Sequence, residues 1–251
     1  MITKQSLMLD LERMGVNPSD SVLFHSSMKA IGPVEGRADA VLNALSEYLA
    51  PGLLALPTLT WATAYQKPPV YDVLESPSLT GLLTELFRKR PGVKRSLHPT
   101  HSLAALGRDA TELVSEDGLC HTPCGKRSGW HKLLERDAKI LMAGCGLTSC
   151  TFMHGVEEWC EVPNRFEPPV RFTVITADRM KIEFVSAPHL GSPSEQYGRA
   201  EKALRQSGAL ADGRFGNAAV LVISARKCFD TLSALLRENP HLFDDPAVAR
   251  N

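Results

Sequence analysis

The sequence predicts an α/β fold, a mixed sheet between helical layers with a β-hairpin excursion in the second half. Three observations lead there. Short apolar runs closed by polar or turn residues, such as "SVLFHSS", "LLALPTLTW", "SLAALG" and "KILMAGCG", read as buried strands. Longer stretches with apolar residues at helical spacing alternate with them, the order that builds crossover connections. Finally, "VRFTVITADRMKIEFVSA" alternates on both sides of Asp178-Arg179, as a hairpin does.

The elements follow in chain order. "TKQSLMLDLERMGV" has the periodicity of an amphipathic helix that ends near Gly15. "SVLFHSS" is the first strand, "ADAVLNALSEYLA" a helix stopped by Pro51-Gly52, and "LLALPTLTW" the next strand. That β-helix-β order predicts a parallel pair. Residues 62–78, rich in Pro, Tyr and Ser, read as a loop. "SLTGLLTELFRKR" is a helix with Ser78 as its expected cap. After the strand "SLAALG" come a loop, a helix starting near Ser128 and the strand "KILMAGCG". "RAEKALRQSGAL" and "AAVLVISARKCFDTLSALLREN" are expected to close the chain as helices, although "AVLVISA" also suits a strand. One domain over residues 1–251 accommodates all of this, and the length is enough for a sizeable core.

Composition removes several function classes. Basic and acidic residues number 28 each, so there is no basic excess of the kind a nucleic-acid surface requires. No apolar run approaches about 18 residues, and the charged, amphipathic start is neither a signal peptide nor a span. The expectation is a cytoplasmic protein with no membrane and no nucleic-acid partner. Its six cysteines are then expected to be free thiols.

The stretch "TFMHGVEEWC" concentrates reactive groups. On a helix, Thr151, His154, Glu157 and Glu158 share a face or neighbour it. A carboxylate beside a histidine fixes its tautomer and suits it to general-base work. Gly155 counts against the helix by about 1 kcal/mol. The plainer alternative is a helix first turn whose glutamates complement the macrodipole, and on spacing alone that alternative leads. Cys120-His121-Thr122-Pro123-Cys124 with His131 has zinc-ligand residue types but no finger spacing, so no metal is expected. No Gly-x-Ser-x-Gly elbow or other nucleophile signature is present. Residues 94–102, "KRSLHPTHS", combine cations, hydroxyls and imidazoles suited to phosphate. "PCGKRS" places Gly and cations before a helix. Both also suit solvated loops, and spacing alone names no reaction.

The order of the pieces is more specific. "DSVLFHSSMKAIG", "LLALPTLTW", "SPSLTGLLTELFRKRPGVKRSLHPTHSLAALG", "CHTPCGKRSGWHKLLERDAKILMAGCG" and "TFMHGVEE" together resemble the aminoglycoside 3-N-acetyltransferase family, from about residue 5 to 160 and more faintly to about 245. The resemblance implies a three-layer α/β/α sandwich and acetyl-CoA as cosubstrate, with no metal. The implied reaction is direct acyl transfer in a ternary complex to an amine of an aminoglycoside or a related small molecule. His154 would be the base, Glu157 its orienting group and Thr151 a donor to the oxyanion. CoA would contact His25, Ser26, Ser27, Arg95, Ser96, Ser102, Pro123, Gly125 and Ser128. The acceptor would lie near Thr58, Thr60, Asp72 and Glu158, and the protein would be a monomer or homodimer. The family's Pro-Phe-Gly is Pro123-Cys124-Gly125 here, and the region after Glu161 diverges. That divergence motivates an alternative, a CoA-binding module or self-protection protein that acetylates no aminoglycoside.

Overall fold

A computed structural model of the chain describes residues 1–245. The expected single unit runs to residue 251, so 246–251 lie outside the described residues. In chain order the elements are α1 (Lys4–Arg13), β1 (Ser21–Ser26), α2 (Met28–Ile31), α3 (Arg37–Tyr48), β2 (Leu53–Pro57), β3 (Val70–Asp72), α4 (Leu82–Phe87), β4 (Lys94–Arg95) and β5 (Leu103–Gly107). They continue with α5 (Ala110–Val114), α6 (Gly129–Glu135), β6 (Lys139–Ala143), α7 (Thr151–Trp159), β7 (Val170–Ile175), β8 (Lys181–Ser186), α8 (Glu201–Gln206), β9 (Leu210–Phe215), β10 (Ala218–Ser224) and α9 (Ala225–Glu238).

Among the described residues, seven strands form one sheet in the order β4-β5-β2-β1-β6-β10-β9. The centre is parallel: β1 pairs with β2 through Val22↔Leu54 and with β6 through Phe24↔Leu141. Outward of these, β5 and β10 run antiparallel, which makes the sheet mixed. Alternation along the strands sends residues to two cores. Leu23, Ala55, Ile140 and Met142 pack with Leu113, Leu133, Phe152 and Leu232 of α5, α6, α7 and α9. Val22, Phe24, Leu54 and Leu141 pack on the other face with Leu7, Val41 and Leu83 of α1, α3 and α4. The result is the three-layer sandwich.

Several boundaries differ from the sequence expectation. The loop over 62–78 contains β3, which pairs in parallel with β7 and joins the β7–β8 hairpin in a second sheet with its own core of Tyr71, Phe172, Val174 and Phe184. Ser78 does not cap α4. Gly81, at φ 111°, precedes that helix, while the Ser78 N–H donates to Glu85 Oε2 at 2.8 Å. "AVLVISA" is strand β10 and only α9 is helical, because Ser224 caps that helix by accepting from the Lys227 N–H. "LADGRF" is β9, an edge strand whose exposed polar residues hide it from periodicity. All six cysteines are free thiols. No helix among the described residues is long and apolar enough to cross a membrane.

Candidate active site

The parallel centre sets the position of the site. In open α/β sheets the crevice lies outside the carboxyl ends of the parallel strands, where connections leave on opposite faces. Here a cavity of about 690 Å³ is lined by His25 and Ser26 at the end of β1, Pro57 at the end of β2, and Cys145 just beyond β6. The turn Leu147–Ser149 and the start of α7 add Thr148, Ser149, Cys150, Thr151 and His154. His101 and His189 complete one wall, and Trp61 and Tyr65 stand exposed among the lining residues.

The helical reading of "TFMHGVEEW" is correct, and its face toward the core explains the geometry. Phe152, Met153, Val156 and Trp159 are buried in the core beneath α7. Gly155 is required there: a Cβ would lie 2.6 Å from Trp159 Cζ2. The Trp159 ring is fixed by its Nε1–H, which donates to the Cys124 carbonyl at 2.7 Å, and by an edge contact with Phe152. With that side anchored, Thr151 and His154 face the cavity, and Glu157, only 1% exposed, sits one turn deeper.

His154 and Glu157 are linked through a third residue. The Tyr197 hydroxyl donates to Glu157 Oε2 at 2.6 Å and lies 2.7 Å from His154 Nδ1. A phenol has one proton to give, so the Nδ1–H of His154 is the donor in the second bond. That tautomer leaves the Nε2 lone pair for the cavity. Tyr197 comes from the 3-10 segment Pro193–Ala200 and is fully buried against Phe243. Arg165 holds the far side of Glu157, its Nε donating to Oε1 at 2.5 Å, and it also pairs with Asp244 at 3.0 Å.

Burial dominates the electrostatics. It holds the His154 imidazole well below its usual range, and His189 and Arg165 push the same way. It pushes the Glu157 carboxyl up, against Arg165 and the Tyr197 hydroxyl. Burial opposes the charge of Arg165, but Glu157 and Asp244 more than compensate and raise it. His25 falls to about 4 by burial, and its Nε2 has no hydrogen-bond partner among the described residues. His189 is stacked on His154 with ring centroids 4.3 Å apart.

The other expected site residues divide. His25 and Ser26 line the cavity. Ser27 caps α2, and Ser128 caps α6 by accepting from the His131 N–H. The Arg95 guanidinium is engaged by the protein itself, donating to the carbonyls of Thr58, Val73 and Ser76. Ser96 accepts from the Leu103 N–H, and Ser102 donates to the Thr58 carbonyl. Buried Pro123 and the Gly125 turn belong to a loop that packs on α7 through the Cys124 N–H, which donates to Glu158 Oε1. Of the expected acceptor contacts, Thr58 bonds Ser102, Thr60 donates to the Pro99 carbonyl, and Asp72 pairs with Arg179 at 2.8 Å. Glu158 is buried behind the wall, its carboxyl pushed up to about 8 by that burial. Tyr197, Arg165 and His189 were not expected. They lie in the divergent stretch after Glu161, where no spacing ties them to His154.

Comparison with known proteins agrees with this architecture. The family model described as aminoglycoside 3-N-acetyltransferase matches residues 23–237. An aminoglycoside N(3)-acetyltransferase VII from Streptomyces paromomycinus is 30% identical over 191 residues, 67% of this chain and 66% of that protein. The chain thus covers just under two thirds of that relative. An aminoglycoside N(3)-acetyltransferase IV from a Salmonella species is 28% identical over 97% of this chain and 90% of its own length. Among solved structures, the apoenzyme of aminoglycoside acetyltransferase AAC(3)-IVa superposes with a TM-score of 0.84 at 25% identity, over 99% of this chain and 93% of that one. AAC-IIIb, solved as a binary complex with CoASH, shares the fold with a TM-score of 0.82 at 22% identity, over 94% of this chain and 96% of that one. The chain belongs to the aminoglycoside 3-N-acetyltransferase family.

Proposed function

We propose that the protein transfers an acetyl group from acetyl-CoA to an amine, directly and within a ternary complex. The observation that carries this reading is the chain Glu157–Tyr197–His154, which ends with a free imidazole nitrogen at the cavity formed by the ends of the parallel strands. His154 Nε2 takes a proton from the acceptor's ammonium or from the attacking amine. The nitrogen attacks the thioester carbonyl, the C–N bond forms, the C–S bond breaks, and any excess proton left on the nitrogen goes with the departing sulfur, so that CoA leaves as the thiol. The imidazolium is stabilised through Nδ1–H to Tyr197 and on to the Glu157 carboxylate. In this reading the hydroxyl of Thr151, which also lines the cavity, donates to the oxyanion.

The CoA reading rests on the family and on a fold neighbour solved with CoASH. On this reading the thioester arm lies in the part of the cavity lined by His25, Ser26, Cys145 and Ser149. No nucleophile motif accompanies the site, so no covalent enzyme intermediate is needed.

The lining bears on the acceptor. Among the described residues it contains no Asp, Glu, Lys or Arg. Hydroxyls, imidazoles and the exposed Trp61 and Tyr65 rings offer hydrogen bonds and cation–π contact instead. This favours an acceptor with few ammonium groups over a densely charged one, within or beyond the aminoglycosides. Thiol release from acetyl-CoA, measured over a panel of amines from monoamines to polycationic aminoglycosides, tests the reading. Calorimetry with CoA separates an enzyme from a binding module, because CoA binding without turnover on any amine would favour the module.

A further inference from the structure

We propose that Cys124, Glu158 and His189 form a zinc site directly behind the cavity wall. The three come from the loop before α6, from α7 and from the segment after β8, and the fold brings one ligand atom of each within 4.8 Å of the others. Thiolate, carboxylate and imidazole are the donor types zinc takes. Spacing could not reveal the set, because its members stand at positions 124, 158 and 189.

Burial and bonding make the cluster more than a proximity. Cys124 is inaccessible, and the side chains of Glu158 and His189 are 4% and 9% exposed. One Glu158 oxygen and His189 Nδ1 have no hydrogen-bond partner among the described residues. The other Glu158 oxygen receives the Cys124 N–H at 2.8 Å and lies 2.8 Å from His189 Nε2. No lysine or arginine pairs with Glu158 among the described residues, whereas the equally buried Glu157 is paired with Arg165. A buried carboxyl without a cation keeps its proton, and a divalent cation lets it ionise in place. Zinc supplies that cation: one thiolate and one carboxylate neutralise a divalent ion, and the thiol and carboxyl protons both leave to solvent on binding.

The geometry needs little adjustment. Bonds of about 2.0 Å in a tetrahedral site put nitrogen and oxygen ligands ~3.3 Å apart, so the imidazole and carboxylate must separate by roughly half an ångström. The Cys124 N–H already orients the carboxylate, as outer contacts do in zinc sites. The fourth position is left for water. His189 is stacked on His154, so the ion would fix the surface against which the candidate base rests without binding that base.

The test uses the full-length protein, stripped with a chelator and then titrated with zinc against a competing chromophoric chelator. Metal content is read by atomic emission. One zinc per chain is expected, and Cys124→Ser and Glu158→Gln should each bind about 100-fold more weakly or worse, at or beyond the loss for outer contacts. Cobalt(II) in the wild-type protein should give a sulfur-to-metal charge-transfer band that Cys124→Ser lacks. Less than one zinc per chain at micromolar free zinc, undiminished binding by Cys124→Ser, or a cobalt-loaded wild type without that band would each overturn the proposal. Should Glu158→Gln fail to fold, the smaller Cys124 change carries the test alone. None of these readouts depends on acetyl transfer, so the outcome is separate from that of the proposed reaction.

Discussion

His154 and Glu157 do not touch: Nδ1 and Oε2 stand 3.9 Å apart, and the Tyr197 hydroxyl bridges them. A direct His–Glu pair, the expectation from helical spacing, is therefore replaced by a relay in which Tyr197 sets the tautomer.

Tyr197→Phe removes that bridge while keeping the ring packed on Phe243. It leaves two buried polar atoms unpaired, at a cost of about 1–3 kcal/mol each. Expressed in the transition state, such a loss lowers kcat roughly 10- to 100-fold. KM for acetyl-CoA should stay near wild type, because Tyr197 bonds the proposed base and does not itself line the cavity. Steady-state kinetics check the split. A variant that loses stability and keeps its kcat would assign Tyr197 a packing role only.

Arg165→Met strips Glu157 of its charged partner. Both side chains are nearly inaccessible, at 6% and 1% exposed. Breaking a buried pair from one side costs about 3–5 kcal/mol, since the remaining charge has no compensation. Urea denaturation should show this loss, and a change below about 1 kcal/mol would mean that Glu157 is neutral in the folded protein.

Gly155→Ala improves helix propensity by about 1 kcal/mol, yet it should destabilise. The added methyl meets the Trp159 ring, which its bonds and packing hold in place. Overpacking of this kind costs about 1–3 kcal/mol, which leaves a net loss of up to about 2 kcal/mol, and the 2.6 Å approach to the ring argues for the upper part of that range. A higher melting temperature than wild type would show that Trp159 can move aside.

Asp117 provides a pH signature away from the cavity. Burial raises its carboxyl to about 7, opposed by the Gly129 N–H and by Lys132. Its other oxygen has no partner among the described residues, as suits a protonated group. The folded state then holds a proton that the unfolded state releases near pH 4. The stability this group contributes is full below about pH 4 and is lost as pH rises toward about 7. Asp117→Asn should flatten that decline, measured as unfolding free energy from pH 4.5 to 7.5. Parallel slopes in the two proteins would contradict the assignment.

Much of the fold was legible because its central strands, β1, β2 and β6, are buried on both faces and read as unbroken apolar runs. The edges were not. Strand β3 has three residues within a polar stretch, and β9 alternates exposed polar positions with few apolar ones. In the site, the spacing of Thr151, His154 and Glu157 carried real geometry, because one helix places all three. Tyr197, Arg165 and His189 are set by tertiary packing, which periodicity does not encode. Arg95 shows the converse. Its charge suggested phosphate, while the fold directs its guanidinium to backbone carbonyls at the junction of the two sheets.

The central claim is that His154 is the base of an acetyl-CoA-dependent transfer. Its most direct test is thiol release from acetyl-CoA by wild type and His154→Ala, with the best amine from the panel and saturating cosubstrate. kcat should fall on the order of 10²- to 10⁴-fold with CoA binding retained. A folded His154→Ala protein that turns over at the wild-type rate would contradict the account.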